Sequence, residues 1–566
     1  MRWNIKDKAD ADKVYRISET LAIDQILASL LIQRGIDTFD KAKSFFRPSL
    51  SDLHDPFLMK DMQVAVLRIE RAIMAGENIM IYGDYDVDGT TAVSLVYDYL
   101  HSYYENVATY IPDRYAEGYG ISYAGIDFAS DNDISLIIAL DCGIKAIDKV
   151  AYANEKSVDF IICDHHRPGG QLPQAVAVLD PKRADCTYPY DELCGCGVGF
   201  KLIQALGQRK GQTIDDFIPF LDLVATAIAA DIVPMTGENR TLTYFGLKVI
   251  NLAPRAGIRA MMQQTKKDVF DITDVVFKIA PRINAAGRME HGSFAVNLLT
   301  EKNFERAVEL ADAVNTYNNH RKDLDQNITQ EALGQIIELK EEDKSATVVY
   351  DELWHKGVIG IVASRLIEKY YRPTLVFTKS GDKLAASARS VKGFDIYDAL
   401  EQCSEYITQF GGHKYAAGLT LEIEKYASFK QKFLEVVNQT MPEELLTEQI
   451  TIDLDIYLSD INSKFQRILK QLGPFGPQNM KPVFMACGLR DNGYGKRIGE
   501  NGDHLKLNII SGSDKRTYNA IGFGLGTKYD LISKGKCFKA VFTIEENHWN
   551  GMTSLQLNIK DLQEDA

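Results

Sequence analysis

The chain has 566 residues, too many for one ordinary hydrophobic core, so three or four domains are expected. Its 45% hydrophobic and 25% charged residues are those of a globular rather than a disordered chain, and a formal net charge of −14 argues against a uniformly basic nucleic-acid binder. The opening MRWNIKDKAD holds no apolar signal core and no uncharged apolar run reaches membrane-spanning length, which predicts a cytoplasmic protein with no membrane contact.

Residues 1–58 read as a helical segment, with helical apolar spacing in TLAIDQILASLLIQRGI and a closing RPSL. From about residue 60 apolar strands alternate with helices: NIMIY (78–82), VATYI (107–111), ISLIIAL (134–140), VDFIIC (158–163) and AVAVL (175–179). Continuous apolar strands with helical crossovers predict a parallel sheet covered on both faces, in a domain spanning 59–295. Residues 301–340 are largely polar with helical spacing, predicting a long connecting helix within 296–344. A second α/β domain is expected over 345–445, with strands near ATVVY (346–350) and TLVFT (374–378) and a Gly-rich GGHKYAAG (411–418).

Over 446–566, short strands with Gly turns and no strong helices (HLKLNII, KAVFTIEE, LQLNIKD) suggest a small β-barrel, for which an oligonucleotide-binding fold is one option. Within it, residues 464–540 carry 14 Lys/Arg against 5 Asp/Glu, a basic segment on an acidic chain and a pointer to a polyanion. Phe475, Tyr494, Tyr518 and Phe523 lie among these cations as base-stacking platforms would, although any single one is better read as core. The eight cysteines form no disulfide framework. Cys186, Cys194 and Cys196 lie close together but lack a paired CxxC or His-x-His partner, so incidental thiols are expected rather than zinc.

The strand ends carry the chemistry. In YGDYDVDGTT (82–91) an apolar strand runs into Asp84, Asp86 and Asp88, alternate carboxylates whose mutual repulsion raises their pKa values unless a cation joins them. Strand 134–140 runs into Asp141, and strand 158–163 into Asp164, His165 and His166. The apolar helix LDLVATAIAADIVP (221–234) ends on Asp231, while Asp222 falls on its opposite side and is expected to be structural. Helix capping accounts for one or two of these residues, not for six carboxylates and two histidines. DYDVDG also opens like an EF-hand, but loop position twelve is Leu95 instead of Glu, and a strand precedes the loop. Carboxylates with imidazole and no thiolate favour Mn²⁺ or Mg²⁺, and the number of acidic ligands suits two ions. The chemistry is metal-assisted hydrolysis of a phosphoester or phosphoanhydride.

GDYDVDG, ALDCG, CDHH and AAD, in this order, resemble the four motifs of the DHH phosphoesterases. DRYAEGYG (113–120), LCGCGVGFKL (193–202), APRINAAGRM (280–289), HKGVIGIVASRL (355–366), SARS (387–390), GGHKYAAG and GPFGPQN (473–479) narrow the resemblance to the RecJ branch, over nearly the whole chain. It implies an α/β fold: a parallel-sheet DHH domain and an α/β DHH-associated domain joined by a long helix, with an oligonucleotide-binding barrel after them. It further implies that Asp84, Asp86 and Asp141 hold one metal, and that Asp88, Asp141, His165 and Asp231 hold a second, with Asp141 bridging. His166 would contact the scissile phosphate and Asp164 would orient its neighbours, with water as the nucleophile. Arg114, Ser387 and Arg389 match positions that grip a terminal 5′ phosphate; Arg288 matches one near the scissile phosphate, with Arg282 a weaker candidate. His413 matches the Gly-rich turn of the DHH-associated domain.

The function expected from this resemblance is a Mn²⁺/Mg²⁺-dependent single-stranded-DNA exonuclease working 5′ to 3′, monomeric, with a helicase and a single-strand-binding protein as partners. Shorter DHH proteins that hydrolyse oligoribonucleotides or cyclic dinucleotides resemble only the first two domains. A non-catalytic DNA-binding replication scaffold would have lost metal-site carboxylates, and none is lost here.

Overall fold

The computed structural model describes residues 1–265, 267–511, 514–549 and 552–565. Two compact units emerge: Met1–Leu53 with Ile232–Tyr244 and Gln449–Ala566, and His54–Asp231 with Phe245–Glu448. In neither unit is any described helix long and apolar enough to cross a membrane.

The second unit is built on a five-stranded parallel sheet of β1 (Asn78–Gly83), β2 (Val107–Tyr110), β3 (Ile134–Leu140), β4 (Asp159–Cys163) and β5 (Ala177–Leu179), in the order β2-β1-β3-β4-β5. Its central strands are apolar runs because helices cover both faces; every residue of β3 but Ser135 is buried. Helices α1 (Val87–His101), α2 (Gly195–Arg209) and α3 (Leu221–Ala230) pack among these layers, and α2 and α3 are buried along almost their whole length. Register then fixes the rim. Gly83 pairs with Leu140, Leu140 with Cys163 and Cys163 with Leu179, so the residues that follow stand abreast: Asp84, Asp141, Asp164 and Asp180.

Helix α4 (Ala280–Met289) leads towards α5 (Phe304–Glu338), a 35-residue helix where 301–340 is predicted helical. Asn303 caps α5, accepting from the Arg306 amide. Beyond it a five-stranded sheet runs in the order β9-β10-β8-β7-β6, from β6 (Thr347–Tyr350), β7 (Thr374–Ser380), β8 (Lys383–Arg389), β9 (Gln409–His413) and β10 (Ala416–Glu422). Helix α6 (Ile359–Lys369) packs on β7 and β8.

The first unit holds a closed five-stranded barrel: β11 (Phe484–Asp491), β13 (His504–Ser511), β14 (Asp514–Gly522), β15 (Phe538–Trp549) and β16 (Met552–Glu564), with β11 pairing both β15 and β13 and β12 (Lys496–Ile498) added on β13. Two expectations change here. The barrel does carry a helix, Ser463–Gln471, started by Asn462, which accepts from the Lys464 and Phe465 amides, and β15 and β16 form a long hairpin. The N-terminal segment is not all helix either. Arg2–Ile5 is a strand paired in parallel with Gln449–Ile452, ahead of helices Ala11–Leu21, Gln25–Gln33 and Phe39–Phe46 that share the barrel's core.

Candidate active site

At the rim of the parallel sheet the strand-end residues meet. Asp86 caps α1, accepting from the Gly89 amide at 3.0 Å, so capping does explain this one residue. Two residues on, in the first turn of α1, Asp88 accepts from the Gly195 and Cys196 amides at the start of α2, at 2.6 and 2.7 Å. Leu95, which ended the EF-hand reading, is fully buried within α1.

His165 Nε2 is the meeting point. It lies 3.2 Å from Asp141, 3.4 Å from Asp231 and 3.7 Å from Asp88. Asp141 reaches it from a left-handed backbone, φ 59°, unusual for a residue other than glycine. Gly195 makes room: a Cβ there would fall 2.5 Å from the Asp141 Cβ and 2.7 Å from its Oδ1. Asp164 is wholly buried and accepts from the Ile144, His165 and His166 amides and from His166 Nδ1 at 2.8 Å. That pairing leaves His166 Nε2 facing outward, 3.4 Å from the Tyr119 hydroxyl.

Electrostatics point the same way as geometry. Burial lifts Asp84 well above the usual carboxylate range, helped by Asp86; burial and Asp86 push Asp88 to about 7. Burial, with Asp88, Asp86 and Asp231, raises Asp141 strongly, and burial with Asp88 takes Asp231 to about 9. Burial lowers His165 to about 3, keeping its ring neutral and its lone pair available. Burial also pulls on His166, but the bond to Asp164 outweighs it and lifts His166 to about 9; the same bond brings Asp164 down to about 2 against its own burial. Both Asp84 oxygens, Asp141 Oδ1 and His165 Nε2 are buried without a hydrogen-bond partner. Orphaned acceptors among mutually repelling carboxylates are what a divalent cation satisfies. Asp141 with His165 and His166, and Asp88 with His165 and Asp231, bring ligand atoms within 4.8 Å of one another, and no thiol joins either group among the described residues. Asp222 instead pairs with Arg255, as expected of a structural residue.

A cavity of about 270 Å³ opens on this rim, lined by Asp84, Asp86, Asp88 and Asp231 together with Arg114, Arg288, Tyr85, Tyr119 and Asn284. Arg114 stacks on the Tyr85 ring, 4.0 Å from its centroid. Arg288 donates to the Gly357 carbonyl at 2.9 Å and is drawn down to about 9 by burial and by Arg114, Arg389 and Arg321 nearby. Arg389 donates to Ser387 Oγ and the Ala388 carbonyl, beside Gly360 of α6, where a Cβ would fall 2.9 Å from the guanidinium. His413, at the exposed end of β9, has its pKa lowered by burial and by His166, Lys145 and Arg167, which places it near His166 electrostatically. Arg282 does not line the cavity: six residues before Arg288, it projects from another side of α4 and donates to Asn315 and to the Lys278 carbonyl. Sequence reasoning passed over Asp180, Tyr85, Tyr119 and Gly195. Asp180 had the same signal as its neighbours, an Asp directly after an apolar strand; the other three depend on tertiary approach.

Residues 78–228 match the family model of the DHH family, N-terminal domain, residues 324–441 that of the DHHA1 domain, and residues 452–561 that of the RecJ OB domain. The single-stranded-DNA-specific exonuclease RecJ of Bacillus subtilis is 37% identical over 567 residues, covering 99% of this chain and 70% of that protein. The chain belongs to the RecJ family. The crystal structure of Thermus thermophilus RecJ in complex with Mn²⁺ aligns with a TM-score of 0.85 at 25% identity, over 100% of this chain and 79% of that one. The Mg²⁺ complex of the same protein aligns with a TM-score of 0.78 at 24% identity, over 100% and 78%. The donors on the RecJ-type rim found here, carboxylates and a neutral imidazole, are those of a Mn²⁺ or Mg²⁺ centre. In the barrel, Tyr518 is core, its hydroxyl donating to the Leu458 carbonyl, and Phe475 packs against the core, whereas Tyr494 and Phe523 are exposed.

Proposed function

We propose that this RecJ-family protein is a Mn²⁺- or Mg²⁺-dependent exonuclease that degrades single-stranded DNA from the 5′ end and releases 5′ mononucleotides, serving DNA repair and recombination. The observation that carries this reading is one cavity lined by four carboxylates, the buried and unpartnered Asp84 among them, together with Arg114 and Arg288. Asp84, Asp86 and Asp141 would hold one ion, and Asp88, Asp141, His165 and Asp231 the other. When bound, the ions supply Lewis acidity at the scissile phosphate and make water a stronger nucleophile.

The chain's own groups do the rest. His166, charged because Asp164 holds its Nδ1 proton, presents Nε2–H to a phosphate oxygen. Arg288, fixed by Gly357, adds a second positive charge there. Arg114, Ser387 and Arg389 grip the terminal 5′ phosphate, the Arg389 guanidinium reaching from the end of β8 to Gly360 in the first turn of α6, where backbone N–H groups favour an anion. His413 approaches from the second sheet of the same unit. Tyr115 donates to the Arg288 carbonyl and Arg288 to the Gly357 carbonyl, the second bond tying the DHH domain to the DHH-associated domain beside the cavity; a passage narrowed in this way would exclude duplex and so select single strands. A helicase and a single-strand-binding protein would supply the strand to a monomeric enzyme.

The test uses 5′-labelled single strands with Mn²⁺. The native protein should release short labelled products, and Asp141→Ala should reduce the rate by more than roughly 100-fold, beyond the loss expected of an outer-sphere partner. Equal release by both proteins, or preference for blunt duplex, would overturn the reading.

A further inference from the structure

The arginines at the proposed substrate end are held without carboxylates, unlike several of the buried arginines elsewhere in the same unit. Arg68 sits between Asp159 and Glu77, Arg183 between Asp61 and Asp185, and Arg255 between Asp222 and Asp98. Arg114, Arg288 and Arg389 have neutral anchors instead: a ring face, a backbone carbonyl, and a hydroxyl with a carbonyl. Among the described residues none of these three has a carboxylate at ion-pair distance. A carboxylate partner would cancel the charge a phosphate requires. A ring face fixes the guanidinium plane and leaves that charge free.

Arg114 depends on this most, because its Nε is buried without any hydrogen-bond partner. The residue that supplies the ring is closely packed at its backbone. A Cβ at Gly287 would lie 2.5 Å from the Tyr85 carbonyl oxygen, and one at Gly292 would lie 3.2 Å from the Tyr85 Cβ, so two glycines let the chain close down on this residue. Tyr85 also stands between Asp84 and Asp86, and its ring meets the edge of Tyr119 with centroids 6.1 Å apart.

We propose that Tyr85 is a positioning residue whose ring face holds Arg114 without neutralising it, and so registers the 5′-phosphate grip to the metal-binding turn. The inference rests on the reading of Arg114 as a contact to the terminal 5′ phosphate. The ring, not the hydroxyl, carries the role.

Tyr85→Leu, Tyr85→Met as a second ringless variant, Tyr85→Phe and Arg114→Ala are compared with the native protein on single strands ending in a 5′ phosphate or a 5′ hydroxyl, with Mn²⁺ affinity measured by calorimetry. The ringless variants should raise KM for the phosphorylated strand roughly two- to thirtyfold, the span of a cation–π contact, and narrow the discrimination between ends. Tyr85→Phe should keep native discrimination, and Mn²⁺ affinity should hold in all four. Native discrimination in the ringless variants, equal loss in Tyr85→Phe, or lost Mn²⁺ binding in a ringless variant overturns the role of the ring. Native discrimination in Arg114→Ala removes the 5′-phosphate reading itself, and the proposal with it.

Discussion

A single backbone choice aims the carboxylate that lies nearest His165. Asp141 adopts a left-handed conformation, at a cost of order 1 kcal/mol for a residue with a side chain, and in doing so turns towards His165. Gly195 serves it twice, by yielding the space of a side chain and by donating its amide to Asp88. Gly195→Ala should therefore weaken Mn²⁺ binding and turnover by roughly 10- to 100-fold, the usual effect of disturbing a ligand's support, with little loss of secondary structure by circular dichroism. Gly197, whose Cβ would meet nothing closer than 3.4 Å, is the control expected to tolerate alanine better. Asp180 offers a contrasting case. It is fully buried with Oδ2 unpartnered, and burial pushes it up to about 7. A carboxyl raised in the folded state destabilises increasingly as pH climbs from its ordinary value near 4 to about 7, and fully above that. Asp180→Asn should gain on the native protein across that window and level off above it, by on the order of 1 kcal/mol in denaturant titrations. An advantage independent of pH would mean the carboxylate is not the source of the cost.

Elements legible in the sequence are those that state their environment locally. NIMIY and ISLIIAL are continuously apolar because both faces of their sheet are covered, and the observed strands lie within a residue of the expected ones. The polar 301–340 stretch keeps helical spacing through Ala307, Ala311, Val314, Asn318, Asp325, Ile328, Thr329, Ala332 and Ile336, the residues that α5 buries. Other features have no local sign. RWNI becomes a strand only because Gln449–Ile452 offers it an edge, and SKFQRILKQ gives only three apolar residues to mark a helix in a barrel segment. The site divides along the same line. Asp84, Asp141 and Asp164 follow from strands ending in acid, whereas Gly195 and Tyr85 depend on another element closing upon them. For α5 the physical claim is that its middle is one continuous helix. Asn319, exposed at its centre, should tolerate alanine with a slight gain of up to about 0.7 kcal/mol, whereas Asn319→Pro should cost about 3 kcal/mol or more in chemical denaturation.

At the scale of the whole molecule, an acidic chain has to attract a polyanion. The net charge of −14 repels single-stranded DNA at long range, so attraction must come from local surfaces, and the barrel supplies one. Its β12 and β13 pair Lys496 directly opposite Lys506, both exposed, with Arg497 beside Lys496 and the exposed ring of Tyr494 nearby in sequence. Like charges facing each other across two strands cost a few tenths of a kcal/mol to the fold. Such a pair makes sense where a phosphate backbone neutralises it. Replacing both by alanine should leave the thermal midpoint unchanged or slightly higher. It should also reduce affinity for a long single strand and flatten the dependence of log K on log salt by roughly 1.4, the counterions two phosphate contacts release. Cleavage of a very short strand confined to the catalytic unit should change far less. An unaltered salt slope would place the barrel's DNA path elsewhere on its surface, away from β12 and β13.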